Sequence, residues 1–113
     1  MKQIDSTKFD VEVLHSEPPV LVDFYTQQCP PCRMISPLIE EIENECDESM
    51  KVVKIDVAAE PEFTASFRIT SVPTLLLFRG GQRISLLAGT RAENEVLMGF
   101  TKVRTVAFER DPA

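Results

Sequence analysis

The chain predicts an α/β fold in which a central mixed sheet of four to five strands carries helices on both faces. Three observations lead there. Two near-continuous apolar runs, VLVDFY and VPTLLLF, have the character of strands covered on both sides. Between them, Ile35, Leu38, Ile39, Ile42 and Cys46 recur at spacings of three and four, the period of an amphipathic helix. The stretch Arg79-Gly80-Gly81-Gln82 is a hairpin signal between two extended segments. Strands interleaved with helical segments bury their apolar surfaces best as a layered sheet.

Each element follows in order. Ser6-Thr7-Lys8-Phe9 opens a short helical pattern that puts Phe9 and Val13 on one face, and Pro18-Pro19 ends it. Val20 to Tyr25 is the first core strand, broken only by Asp23. A long helix is expected from Pro31 to about Glu48, with Pro37 kinking it without ending it. Lys51 to Val57 reads as a second strand, and Pro61 can open a short helix because its missing N–H is not needed there. Val72 to Phe78 forms a third core strand, and the glycine turn leads into Arg83 to Ala88. Thr90 and Glu93 make a capping box before a last helix, with Val96, Leu97, Phe100, Val103 and Val106 facing inward and the terminal FERDPA fraying.

Composition narrows the function classes. With 113 residues, 43% apolar and 27% charged, the chain reads as one domain spanning 1–113 with a real core. Twelve basic residues against 18 acidic ones give a net charge of -6 and no basic tract. Direct nucleic-acid binding and attachment to an anionic membrane are therefore not expected. The opening MKQIDSTKFD has no apolar core of a signal peptide, and the longest apolar runs are far too short to span a bilayer. A cytoplasmic protein is the default expectation, and three cysteines are too few for a secreted disulfide scaffold.

Cys29-Pro30-Pro31-Cys32 carries the strongest chemical signal. A C-x-x-C pair can exchange disulfides, hold a metal or be inert. Its place after a strand and at the start of a helix favours exchange, because free N–H groups and the helix dipole stabilise a thiolate there. Cys29 is expected to be the exposed nucleophile and Cys32 the sheltered resolving thiol. Pro30 and Pro31 remove two backbone donors and restrict the turn. Zinc is the competing reading, but a closed site needs four ligands and only His15 and Cys46 remain as obvious ones. Cys46 lies roughly 21 Å up the same helix at about 1.5 Å per residue, where it reads as a small buried hydrophobe. His15 reads as a surface or helix-end residue, and no metal site is expected within the chain.

Asp23 stands in a segment that otherwise calls for burial, where an unpaired carboxylate has a raised pKa. It is either a strand-end carboxylate in water or a proton acceptor and donor for Cys32. Lys54, in the neighbouring predicted strand, either moderates Asp23 by its charge or is a simple edge lysine. Pro73 begins an otherwise ideal strand, which is tolerated where no ladder donor is needed.

The stretch VLVDFYTQQCPPCRMISPLIEEI, followed in order by KVVKIDVAAEP, FRITSVPTLLLFRGG and Gly89, resembles the thioredoxin family over nearly the whole chain. The resemblance implies a thioredoxin-like fold, Cys29 and Cys32 as the redox pair, Asp23 as the buried carboxylate, Lys54 as its lysine and Pro73 as a cis-proline. It also implies that Gln28, Val72, Pro73 and Gly89 contact substrate, with Val72 pairing to substrate backbone. The implied activity is reduction of protein disulfides without a cofactor, recharged by a thioredoxin reductase, in a chain expected to be a monomer. Three features depart from the family pattern: Pro30-Pro31 replaces Gly-Pro, Gln28 replaces the usual tryptophan, and Thr70-Ser71 replaces the glycine-containing approach to Pro73. Two other readings remain open, a dedicated oxidant or isomerase and a binding or scaffold subunit.

Overall fold

The computed structural model describes residues 1–88, and the predicted last helix lies outside them, as does Gly89. Five strands form one mixed sheet: β1 (Lys2–Gln3), β2 (Val20–Tyr25), β3 (Lys51–Asp56), β4 (Thr74–Arg79) and β5 (Gln82–Ala88). Their spatial order is β1-β3-β2-β4-β5. β3 is parallel to both β1 and β2, whereas β4 is antiparallel to β2 and to β5. Helix α1 spans Pro30–Cys46 and α2 spans Pro61–Ser66.

The strand period of two divides the core into two clusters. Leu21, Val52, Leu75 and Leu77 point to one face and pack against Ile35, Ile39, Ile42 and Cys46 of α1. Val20, Val22, Phe24, Val53, Ile55, Leu76 and Phe78 point to the other face. There they meet Phe9 and Val13 from the N-terminal segment, with Phe63 and Phe67 packed against the edge. Phe9 holds that layer together through edge-on contacts with Phe63, Phe67 and Phe78 at centroid distances of 5.1, 5.2 and 5.6 Å. Asp23 and Lys54 follow the parity of Leu21 and Val52, so both project toward α1.

Several boundaries differ from the sequence expectation, each for a local reason. The N-terminal segment is a 3-10 turn (Ser6–Lys8) followed by a π-helical turn (Asp10–Leu14), yet it buries Phe9 and Val13 as expected. The two-residue β1 gave no sequence signal, because its partners on β3 define it. α1 starts one residue earlier than predicted, with Pro30 and Pro31 in its first turn, and continues past Pro37. It stops at Cys46 because Asp47 adopts a left-handed φ of 47° and donates its N–H to the Glu43 carbonyl. β4 begins at Thr74, not Val72, since Pro73 has no N–H to give a ladder. In the hairpin, Gly80 and Gly81 take φ of 61° and 79°, the primed-turn conformation that matches strand twist.

Candidate active site

The cysteine pair sits where β2 ends and α1 begins. Cys29 is the N-cap of α1, with extended backbone, and is disulfide-bonded to Cys32 across a Cα separation of 5.2 Å. Pro30 and Pro31 occupy the first two helical positions and contribute no N–H. The next amide, that of Cys32, donates to Cys29 Sγ at 3.1 Å, and the Arg33 amide donates to the Cys29 carbonyl at 3.2 Å. Of the first-turn donors, one amide is therefore left to stabilise charge on the Cys29 sulfur. The sequence expectation that Cys29 is the exposed partner is corrected here: Cys29 and Cys32 are 5% and 4% exposed. In the oxidised pair each sulfur shields the other, so hydrogen bonding distinguishes them where exposure does not. Gln28 is exposed at the rim of the turn.

Beneath the pair lies a recess of about 330 Å³ lined by Asp23, Tyr25, Gln27, Cys32, Ser36 and Lys54, among others. Asp23 is 2% exposed, and its Oδ1 has no hydrogen-bond partner among the described residues. Burial pushes its carboxyl up to about 7, opposed by the positive charge of Lys54. Asp23 is thus a buried side chain rather than one in bulk water. Lys54 is its register partner on β3 and lies 5.2 Å from the Tyr25 ring centroid. Asp23 and Cys32 thus open onto one small space in which a water can pass a proton between them.

The turn is held from outside the motif as well. The Arg33 guanidinium donates to the Gln27 carbonyl at 2.9 Å, and the Ser36 hydroxyl donates to the Cys32 carbonyl at 3.0 Å. Sequence reading singled out neither residue, nor Tyr25. Ser36 follows Cys32 at helical spacing and Tyr25 follows Asp23 at strand spacing, so the two periodicities carried a usable signal.

Val72-Pro73 is a cis peptide bond, Pro73 is buried and Val72 half-buried. Phe24 pairs with Thr74, so the Val72-Pro73 loop lies at the end of the sheet from which Cys29 emerges. Cys46 is 1% exposed within the α1 cluster, and His15 lies exposed beside Asp10. Among the described residues no group of three His, Cys, Asp or Glu side chains could hold a metal ion. No helix among them is long and apolar enough to cross a membrane.

A dithiol-disulfide pair at a strand-to-helix junction, above a buried carboxyl and beside a cis-proline loop, defines a thiol-disulfide oxidoreductase. The comparisons agree: residues 1–102 match the family model described as Thioredoxin, and the chain belongs to the thioredoxin family. It is 40% identical to thioredoxin 1 of Nostoc sp. over 87 residues, 77% of this chain and 81% of the relative. Against the thioredoxin of Synechocystis sp. the identity is 41% over 87 residues, with the same coverage of both chains. A bifunctional thioredoxin reductase/thioredoxin of Mycobacterium leprae is 37% identical over 101 residues, 89% of this chain and 22% of the relative.

Proposed function

We propose that this chain works mainly as a dithiol reductant of protein disulfides, with Cys29 as nucleophile, Cys32 as resolving thiol and Asp23 as proton acceptor. The Cys29 thiolate attacks one sulfur of the substrate disulfide, forms a mixed disulfide and releases the first substrate thiolate. Cys32 then gives its proton to Asp23 through the shared recess, and its thiolate attacks Cys29 Sγ. The second substrate thiolate leaves, the Cys29–Cys32 disulfide forms, and two electrons have passed to the substrate. The amide hydrogen bond from Cys32 to Cys29 Sγ carries the assignment of the nucleophile.

Pro30 and Pro31 support the reducing direction. A strong oxidant needs a strongly stabilised thiolate in its reduced form, and two of the first-turn amides that could supply this are absent. Lys54 tempers Asp23, and the backbone of Val72 beside Pro73 pairs with an extended substrate, with Gln28 and Gly89 bordering it. Electrons come from a thioredoxin reductase, a partner that the name of the Mycobacterium leprae relative joins to a thioredoxin in one chain. The working form is a cytoplasmic monomer of one domain over residues 1–113, without cofactor, metal or nucleic-acid partner.

The test pairs mutation with a redox titration. Cys29→Ser should abolish disulfide reduction, and Cys32→Ser should accumulate a mixed disulfide through Cys29 visible by mass. Titration against a dithiol buffer should give a potential near roughly -270 mV, a general figure for thioredoxins rather than a value worked out for this chain. A potential above about -200 mV would instead assign an oxidant or isomerase. Activity persisting in Cys29→Ser would end the exchange mechanism.

A further inference from the structure

A second recess, of about 320 Å³, adjoins the cis-proline loop and differs in chemistry from the one above Asp23. Arg68 and Arg83 both line it, together with the hydroxyl residues Thr70, Ser71 and Thr74 and the apolar Phe67, Ile69 and Leu86. Among the described residues no carboxylate lines it, although the chain carries 18 acidic residues against 12 basic ones. Both arginines are exposed, and neither has an ion-pair partner among the described residues. Leu86, 52% exposed, adds an accessible apolar side chain to the same lining.

Arg68 is also held in an unusual backbone state. It follows α2 with φ of 59°, and its N–H donates to the Ala65 carbonyl at 2.9 Å. This is the left-handed position after a helix that glycine fills without steric penalty. An arginine there is a backbone outlier, which glycine would relieve. The recess also shares Ser71 with the loop whose next residue, Val72, presents backbone to substrate in the proposed function.

We propose that Arg68 and Arg83, with the hydroxyls of Thr70 and Ser71, form an anion-accepting subsite that selects disulfide substrates carrying an acidic side chain beside the reacting cysteine. The inference rests on the proposed exchange function and adds a substrate class to it. The occupant is a Glu or Asp of an extended peptide segment. Guanidinium groups bind a carboxylate in fork geometry, hydroxyls complete its lone pairs, and Leu86 covers its aliphatic stem.

The test measures binding separately from exchange. Short peptides with an S-methylated cysteine flanked by Glu or by Gln are titrated into the oxidised protein, and matching disulfide peptides are assayed for reduction. The Glu peptide should bind about fivefold tighter than the Gln peptide at low salt, a difference that high salt screens. Arg68→Gly removes the guanidinium and relaxes the backbone, so it should fold at least as stably while losing most of that preference. Arg83→Gln should lose it too. Equal affinity for the two peptides, or a preference that survives both substitutions, overturns the subsite. Discrimination in binding without reduction of any peptide upholds the subsite and overturns the exchange function instead.

Discussion

β2 and β3 run side by side, and a carboxylate meets a lysine near each end of the pair, with opposite results. Near their beginning, Glu12 accepts bonds from Lys2 at 2.7 Å and Lys51 at 2.8 Å. These hydrogen bonds hold its carboxyl down to about 2. Near their end, Asp23 stands in register with Lys54 but has no hydrogen bond to Oδ1 among the described residues, and burial pushes it up to about 7. In the proposed function, this contrast separates support from chemistry. The paired carboxylate stays ionised and fastens the N-terminal segment to the sheet, whereas the unpaired one can exchange a proton near neutrality.

The largest effect should come from Asp23→Asn. Folded Asp23 keeps its proton up to about 7, while the unfolded residue ionises near the ordinary value of 3.8. Between those values the folded state binds more protons, so its contribution to stability is complete below 3.8 and is lost as pH rises through about 7. The total loss is roughly 4 kcal/mol. Denaturant titrations at several pH values should find the Asn variant more stable at pH above about 7 and the gain shrinking toward acid. Its exchange rate should fall, since Cys32 loses its acceptor, and the rate should lose its inflection near neutrality. A variant with unchanged pH dependence of both stability and rate would break the comparison at its chemical end.

Glu12→Gln should cost about 1 kcal/mol, because its two lysine bonds lie partly in water. The sign is opposite to that of Asp23. A lowered folded pKa contributes stability above the ordinary glutamate value of 4.5, lost as pH falls toward about 2. The variant should therefore lose stability at neutral pH and converge on the parent in acid, with disulfide-exchange rates unchanged. A change in rate at constant stability would show that the two ends of the strands are coupled.

The smallest effect is expected from Lys54→Met. Removing the opposing charge should raise Asp23 further, by less than about one pH unit given the solvent near this lysine. The inflection of the exchange rate should move to higher pH by that amount. Movement to lower pH would contradict the role assigned to Lys54.

Much of this was legible in the sequence because it rests on periodicity. Val20, Val22 and Phe24 alternate with Leu21 and Asp23, so strand parity alone puts Asp23 on the Leu21 face. The helical spacing from Ile35 to Cys46 identified the face of α1 that packs on it. The glycine pair at 80–81 marked the hairpin through its need for positive φ. Ser36, Tyr25 and Arg33 were overlooked because a serine, a tyrosine and an arginine are unremarkable at such positions until a recess makes them neighbours. Cys29 and Cys32 were expected to differ in exposure, but mutual shielding within one bond is a three-dimensional property.

Sequence by itself determined β2 to β5, α1 and α2, the cysteine pair and the anomaly of Asp23, since each depends on residue type at short spacing. Only the tertiary structure decided that, among the described residues, Asp23 Oδ1 has no hydrogen-bond partner and that Glu12 has two lysines. It also brought Arg68 from the end of α2 and Arg83 from β5 to one recess. Burial, charge pairing and the meeting of distant arginines are sums over the folded surroundings, and no local pattern encodes them.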